Sequence, residues 1–273
     1  MNTAYIKILK LYRCNPLDHF YAFYDLLHYP DRTIIEFYDN YSYALALVYD
    51  SPLRGTVCFV HLNCVCTYDH LVKLFRKILE KSRGSISRIS ITSMTNIGEI
   101  LKKVCEEFGF SIVSTFDYVT MVLQNLSIFH VNQGVVTKLE TVEDAYYVAE
   151  LFRLWFGSSP SVDKLVERFR KEDWYGVKID NRVVSMCCVY LKTPDAWVIG
   201  NVFTHPEYRG RGLAKALLSH VCKLALDKGA IPVLHVLSNN PMFNIALRTY
   251  EKVGFRIYET RFGYEIARQE HDQ

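Results

Sequence analysis

The chemically most informative part of this 273-residue sequence is a glycine-rich turn between an apolar run and an amphipathic one. It reads Thr204-His205-Pro206-Glu207-Tyr208-Arg209-Gly210-Arg211-Gly212-Leu213-Ala214. At a strand-to-helix turn the first N–H groups of the helix lack partners, and the helix dipole adds partial positive charge. Because Gly210 and Gly212 carry no Cβ, the backbone can approach a ligand closely, and the two arginines add positive charge. The turn therefore favours binding of a phosphate or pyrophosphate.

The surrounding periodicity predicts the elements that position this turn. Apolar runs of period 2 predict strands, and stretches of period 3.6 predict helices. In the second half of the chain the predicted strands cover 135–139, 174–179, 183–191, 196–204 and 232–237, and the predicted helices cover 142–156, 162–171, 213–228 and 241–253. The turn lacks the Lys-Ser/Thr pair of a P-loop and the G-x-G-x-x-G pattern of a dinucleotide fold, which disfavours both.

The first half of the chain repeats the order of the second. Its predicted strands cover 33–38, 42–49, 56–62, 88–92 and 112–123, and its predicted helices cover 68–81 and 97–108. At an offset of 145 residues, Cys105-Glu106-Glu107-Phe108-Gly109-Phe110 matches Tyr250-Glu251-Lys252-Val253-Gly254-Phe255, and the strand 56–61 aligns with 201–206. We therefore expect two copies of one α/β unit with a boundary near residue 130. Convergent strand–helix–strand patterning is the alternative.

The glycine-rich turn and the end of the sequence resemble the GNAT superfamily of N-acetyltransferases. Arg209-x-x-Gly212-x-Ala214 is similar to the R/Q-x-x-G-x-G/A signature of that family. The run Ala246-x-x-x-Tyr250-Glu251-Lys252-Val253-Gly254-Phe255 resembles its N-x-x-A-x-x-L-Y-x-K-x-G-F ending. The resemblance covers roughly residues 135–265. In detail it is nearest to the glycine N-acyltransferase-like branch, which also carries a degenerate N-terminal copy of the fold.

The resemblance implies a role for individual residues. The backbone amides that would hold the pyrophosphate of acetyl-CoA belong to Arg209, Gly210, Arg211, Gly212, Leu213 and Ala214. The strand backbone that would pair with the pantetheine arm belongs to Val202, Phe203 and Thr204. Tyr250 would protonate the leaving thiolate as a general acid. Asn240 would orient the cofactor or a bound water.

Several of the candidate residues have a second interpretation. The alternative for Tyr250 is packing alone, and the alternative for Arg209 and Arg211 is surface ion pairing. The family asparagine usually lies seven residues before the tyrosine, where this chain has Phe243. Asn240 followed by Pro241 also fits a helix N-cap with proline at the first helical position. His235 lies in the middle of a strand that faces the acyl site, so it is a candidate general base, with a satisfied core histidine as the alternative.

These observations predict an α/β (α+β) protein of two tandem GNAT-type units, each with a mixed, mostly antiparallel sheet flanked by helices. Residues 131–273 are expected to form the catalytic domain. Residues 1–130 are expected to form a degenerate, non-catalytic domain, because the 145-residue register places Thr67 opposite Gly212 and Cys105 opposite Tyr250. No glycine remains in the loop of the first copy, so close approach to a pyrophosphate is lost.

Composition limits the classes of partner. The 32 basic and 29 acidic residues give a formal charge of +3 with no basic tract, so neither nucleic acid nor an anionic membrane is expected. The eight cysteines lie mostly in apolar runs, which favours buried, reduced thiols. The spacing His61-x-x-Cys64-x-Cys66-x-x-x-His70 is not a standard zinc pattern, so no metal is expected. We expect a cytoplasmic protein, either a monomer with an internal pseudo-dimer or a homodimer.

The expected function is transfer of an acetyl group from acetyl-CoA directly to a primary amine. A small-molecule or amino-acid acceptor is preferred over a protein N-terminus or lysine, because the sequence has no acidic cluster that would bind a basic peptide. One alternative is an acyl-CoA-binding sensor or scaffold that no longer catalyses. Another is a metal-stabilised structural protein built on the first copy.

Overall fold

A computed structural model describes residues 3–51, 55–130 and 134–269. The elements up to residue 130 are α1 (Thr3–Cys14), α2 (Pro16–His28), β1 (Thr33–Phe37), β2 (Tyr43–Ser51), β3 (Gly55–Asn63), α3 (Tyr68–Lys81), β4 (Arg88–Ser93), α4 (Gly98–Phe108) and β5 (Phe110–Leu123). The sequence patterns did not assign α1 and α2. Aromatic side chains lie on several faces of α2, so its helical period is weak.

The elements after residue 133 follow a similar order. They are β6 (Val135–Lys138), α5 (Val142–Phe156), α6 (Val162–Lys171), β7 (Asp173–Ile179), β8 (Arg182–Lys192), β9 (Ala196–Thr204), α7 (Leu213–Leu226), β10 (Ile231–Leu237), α8 (Phe243–Val253) and β11 (Phe255–Arg268). A short 3₁₀ turn (Pro206–Tyr208) lies between β9 and α7. Among the helices that the structure describes, none is long and apolar enough to cross a membrane.

The chain divides into two compact units whose limits differ from the expected boundary near residue 130. The first unit takes the residues up to 119, 237–239 and those from 260 onwards, and the second takes 120–236 and 240–259. The physical reason is the length of β5 and β11, each of 14 residues. Each of these strands begins in one unit and ends in the other.

Each unit contains a mixed sheet that is mostly antiparallel. In the first unit β1, β2 and β3 pair antiparallel, β3 and β4 pair parallel, and β4 pairs antiparallel with the end of β11. In the second unit β6, β7, β8 and β9 pair antiparallel, and β9 and β10 pair parallel. Helices cover these sheets, with α3 burying Leu71, Leu74, Phe75 and Ile78. The predicted fold class agrees with this architecture.

An offset of 145 residues relates three pairs of elements in the two halves and does not relate a fourth pair. Helices α3 and α7, helices α4 and α8, and strands β5 and β11 have bounds that lie 145 residues apart at both ends. The parallel partner of Arg88 is Val57, whereas that of Val233, 145 residues later, is Val198. The offset between β3 and β9 is therefore 141, so the gap-free strand alignment was wrong. The loop before α7 (205–212) is four residues longer than the loop before α3 (64–67).

The start of α5 is held by a buried carboxylate. Thr141 accepts a hydrogen bond from the Asp144 N–H at 3.0 Å, and Asp144 Oδ2 accepts from the N–H groups of Thr141 and Glu140, both at 3.1 Å. Lys178 Nζ lies 2.6 Å from Asp144 Oδ1. Burial raises the pKa of Asp144, but the ion pair with Lys178 and the two N–H donors outweigh it, so the pKa lies below its usual value.

We expect Asp144→Ala to lower the free energy of unfolding by about 2–3 kcal/mol at neutral pH. The folded-state pKa is depressed, so this stabilisation is present above the ordinary carboxylate pKa and is lost as pH falls through the folded value. Urea unfolding at pH 7 and pH 3 measures it, with Glu143→Ala, an exposed acid of the same turn, as control. A difference from the wild type that is as large at pH 3 as at pH 7 contradicts the assignment.

Candidate active site

The parallel strands β9 and β10 separate partway along their length. Their pairing ends where Ile199 faces Leu234. In the described chain, residues 200–204 of β9 have no partner on β10, although both strands continue. Backbone N–H and C=O groups need partners, so a diverging pair offers them to a ligand. The three residues expected beside the pantetheine arm lie in this segment: Val202, Phe203 and Thr204.

A β-bulge in β9 lies in the same segment. Next to the Cys188–Gly200 pair, two residues of β9, Asn201 and Val202, face the single residue Cys187 of β8. Asn201 has a φ of 52°, in the left-handed region. Its Nδ2 donates a hydrogen bond to the sulfur of Cys188 at 3.1 Å. Because one residue cannot pair both of its opposite neighbours, the bulge turns strand amides out of the ladder.

The glycine-rich loop joins this segment to α7. Gly210 and Gly212 have φ values of 78° and 77°, which L side chains rarely adopt. Gly212 is the N-cap of α7 and provides no capping side chain, so the first N–H groups of the helix have no acceptor within it. A Cβ at Gly210 would meet no heavy atom within 4 Å, and one at Gly212 would meet only Lys215 Cε at 3.9 Å. Open backbone and an uncapped helix start together fit a pyrophosphate.

The two arginines of the loop donate hydrogen bonds to backbone carbonyl groups close to them in the chain. Arg209 Nε donates to the carbonyl oxygen of Thr204 at 3.1 Å, and its guanidinium lies 5.4 Å from the centre of the Phe203 ring. Arg211 donates to the carbonyl oxygen of Glu207 at 3.2 Å. Among the described residues neither arginine forms an ion pair. Their positive charge is therefore not neutralised by a carboxylate within hydrogen-bond distance.

Tyr250 lies on α8 with only 8% of its surface exposed. Burial raises the pKa of its hydroxyl, and the neighbouring Cys187 thiol raises it further. Cys187 is the residue of β8 that faces the bulge, so the electrostatic influence of its thiol indicates that Tyr250 lies on the same side of the unit as the bulge. A phenol with a raised pKa keeps its proton at neutral pH, as a general acid must.

The two remaining candidates, His235 and Asn240, lie in different local structures. His235 is half-buried in β10, one residue beyond the last β9 pair. Asn240 is not the N-cap of α8, because the helix begins at Phe243 with Met242 as its N-cap. The side-chain oxygen of Asn240 instead accepts from the Met242 N–H at 2.9 Å. The predicted cap was therefore wrong in position, and this oxygen shapes the turn that leads into the helix.

The sequence analysis missed Asn201 and Cys188. An asparagine inside an apolar strand is a signal for a bulge, because asparagine tolerates the left-handed region and strand interiors disfavour it. Nothing in the sequence distinguishes Cys188 from the other buried thiols.

The four possible metal ligands of the first unit are not brought together as a set. Among the described residues no group of three or more His, Cys, Asp or Glu side chains is placed to hold a metal. The His61 Nδ1 forms a hydrogen bond with Thr92 Oγ1 at 2.8 Å, and the His70 ring stacks on Tyr38. Cys64 and Cys66 form a thiol–thiol hydrogen bond at 2.9 Å. The described chain provides no support for a metal-stabilised structural protein.

A curated relative matches part of the chain. Glucosamine 6-phosphate N-acetyltransferase of Trypanosoma brucei brucei is 35% identical over 68 residues, which are 25% of this chain and 43% of that protein. The chain thus spans less than half the length of this relative. The aligned segment is too short to transfer that protein's substrate directly.

Solved structures match most of the chain at low identity. A putative acetyltransferase of the GNAT family from Novosphingobium aromaticivorans has a TM-score of 0.55 and 20% identity, and the match covers 77% of this chain and 84% of that one. A GCN5-related N-acetyltransferase from Kribbella flavida has a TM-score of 0.61 and 13% identity, with 92% and 95% covered. These likenesses confirm the fold class.

The family comparison covers the site itself. The model of the Acetyltransferase (GNAT) family matches residues 138–255. This range includes the diverging strands, the bulge, the glycine-rich loop and Tyr250. Residues 138–255 are therefore similar to the acetyltransferase (GNAT) family over the stretch that contains the candidate site.

Proposed function

We propose that the second unit transfers an acetyl group from acetyl-CoA to a primary amine. The observation that carries the proposal is the divergence of β9 from β10 directly before an open glycine loop. The loop is suited to the pyrophosphate, and residues 202–204 are suited to the pantetheine arm. The thioester would then lie near the bulge, and the influence of Cys187 on the pKa of Tyr250 supports a position of Tyr250 close to it.

The proposed reaction is a direct attack of the amine on the thioester carbonyl. The carbonyl oxygen gains negative charge as the tetrahedral intermediate forms, and a strand amide at the bulge donates a hydrogen bond to it. When the intermediate collapses, the C–S bond breaks and Tyr250 gives its proton to the leaving thiolate. The nitrogen, positively charged after the attack, then loses a proton, and Tyr250 regains one, so the products are the neutral amide and the free CoA thiol. No covalent acyl-enzyme is required.

The attacking amine must lose a proton before it reacts. A lysine-type amine has a pKa of about 10.4 in water, so only a small fraction is neutral at pH 7. His235 is the candidate acceptor of this proton, because it lies in β10 just beyond the point of divergence. A chain of water molecules is the alternative route.

We also propose that the first unit is a degenerate copy without a CoA site, as in the glycine N-acyltransferase-like branch. Its strands β3 and β4 remain paired to Leu62 opposite Ser93, so they do not diverge. Its loop before α3 contains no glycine and is four residues shorter than the loop before α7. Thr67 caps α3 by accepting from the His70 N–H at 3.4 Å, so one of the N–H groups at the helix start already has a partner. These differences support one active site per chain.

The acceptor is proposed to be a small amine. The partial match to an amino-sugar-phosphate acetyltransferase adds glucosamine 6-phosphate to the compounds worth testing. A protein N-terminus or a lysine side chain is the competing acceptor, which peptide substrates would reveal.

Calorimetric titration of acetyl-CoA into the full chain tests the proposal. One site per chain is expected, followed by mass-spectrometric detection of acetylated product in a panel of amino acids, amino sugars, amino-sugar phosphates and lysine peptides. Binding without transfer to any amine would favour an acyl-CoA sensor. Absence of binding would overturn the proposal, and two sites per chain would overturn the degenerate first copy.

A further inference from the structure

The bulge of β9 is held by hydrogen bonds to the sulfur atom of Cys188. The Cys188 sulfur accepts a hydrogen bond from Asn201 Nδ2 at 3.1 Å and another from the backbone N–H of Gly200. Cys188 is fully buried within the cluster that contains Trp174 and Phe203. One side chain of β8 therefore binds two consecutive residues of the distorted segment.

The chemistry of Cys188 fits a structural acceptor. Burial, and secondarily the charge of Glu172, raise the pKa of the thiol to about 12. A neutral, enclosed thiol is a poor nucleophile and a poor metal ligand. Its remaining capacity is to accept weak hydrogen bonds, which is the role that the contacts to Gly200 and Asn201 describe.

Other side chains of β8 hold the segment on both sides of the bulge. A Cβ at Gly200 would lie 2.8 Å from Tyr190 Cε1, so the tyrosine ring covers this position closely. Beyond the bulge, Ser185 Oγ lies 2.9 Å from Thr204 Oγ1 and 3.3 Å from the carbonyl oxygen of Phe203. Within residues 200–204, these contacts restrict the residues on either side of the bulge but not Asn201 and Val202 themselves.

We propose that Cys188 is a positioning residue for acyl transfer, which fixes the direction of the bulge amides by holding Gly200 and Asn201. The inference rests on the proposed function, and Cys188 acts through the backbone without touching the substrate. Asparagine tolerates positive φ better than most residues but still prefers negative φ, so its conformation here depends on partners such as the Cys188 sulfur. Without the sulfur acceptor, the segment relaxes and the amide that donates to the carbonyl oxygen loses its alignment.

The test compares Cys188→Ala and Cys188→Ser with Cys222→Ala in the full chain. Cys222 lies on α7 and is also fully buried, so Cys222→Ala removes a buried sulfur atom of the same size. We expect Cys188→Ala to lower kcat about tenfold, with the KM for the amine and the Kd of CoA changed less than about twofold. Cys188→Ser, which still accepts hydrogen bonds, should recover most of the rate. Cys222→Ala should behave as the wild type.

A binding measurement separates this inference from the proposed function. Wild-type protein should bind acetyl-CoA more tightly than CoA, and Cys188→Ala should lose that preference while still binding CoA. Equal kcat in Cys188→Ala, an equal loss in Cys222→Ala, or an unchanged preference for acetyl-CoA overturns the role of Cys188 and leaves the glycine loop standing. Failure of the wild type to bind CoA overturns both.

Discussion

Gly212→Val is expected to weaken CoA binding by at least about 100-fold, or ~2.7 kcal/mol, while the chain remains folded. The φ of 77° strains any L side chain at this position, and the new methyl groups would occupy the open space before α7. That space is where the pyrophosphate would contact the helix amides. Titration calorimetry with CoA measures the loss, and thermal unfolding reports the integrity of the fold.

Gly229→Val provides a matched control for this variant. Gly229 has a φ of 78° and also faces open space, but it follows α7 at the opposite end from the loop. Both substitutions should therefore impose a similar strain of about 1–2 kcal/mol on the fold. Equal CoA affinity in the two variants would remove the loop from the binding site.

Tyr250→Phe is expected to lower kcat by about 10²-fold without a comparable loss of CoA affinity. The change removes only the hydroxyl, so the packing of the ring on α8 is retained while the proton donor is lost. Since burial and Cys187 raise the pKa of Tyr250, the wild type should show no loss of rate from tyrosine ionisation near pH 10. Steady-state rates with a saturating amine, measured across pH, check both statements.

Tyr175→Phe is the matched control for the catalytic variant. Tyr175 lies in β7 and has the same exposed fraction as Tyr250, 8%. Its hydroxyl has no part in the proposed reaction. If both variants keep wild-type rates, Tyr250 serves packing alone. If both lose rate equally, the effect belongs to the sheet and not to proton transfer.

The local structure could be predicted from the sequence wherever a short local pattern determines it. Gly212 predicts a helix start without a capping side chain, because glycine has no side chain to accept a hydrogen bond, and α7 follows as expected. The bulge at Asn201 could not be placed, because it depends on the register of β8 against β9. The start of α8 was misjudged by two residues, since Asn240 and Pro241 are equally suited to a turn.

The long-range features were beyond any local pattern. Residues 255–268 were expected to belong to the second domain, and no strand was assigned to them. The last residues of β11 pair with β4 instead, from Phe262 opposite Ser93 onwards. Which strand completes which sheet depends on pairing energies between distant segments, and periodicity contains no information about them.

The placement of β11 has a consequence for how the protein is made. Ser93 pairs with Phe262, a residue that is synthesised much later in the chain, so β4 leaves the ribosome long before its antiparallel neighbour exists. Contacts between such distant residues slow folding. Until they form, β4 presents an unpaired edge, which is the kind of surface through which nascent chains aggregate. A chain interrupted shortly after Tyr250 would contain the whole glycine loop and still leave the first sheet unfinished.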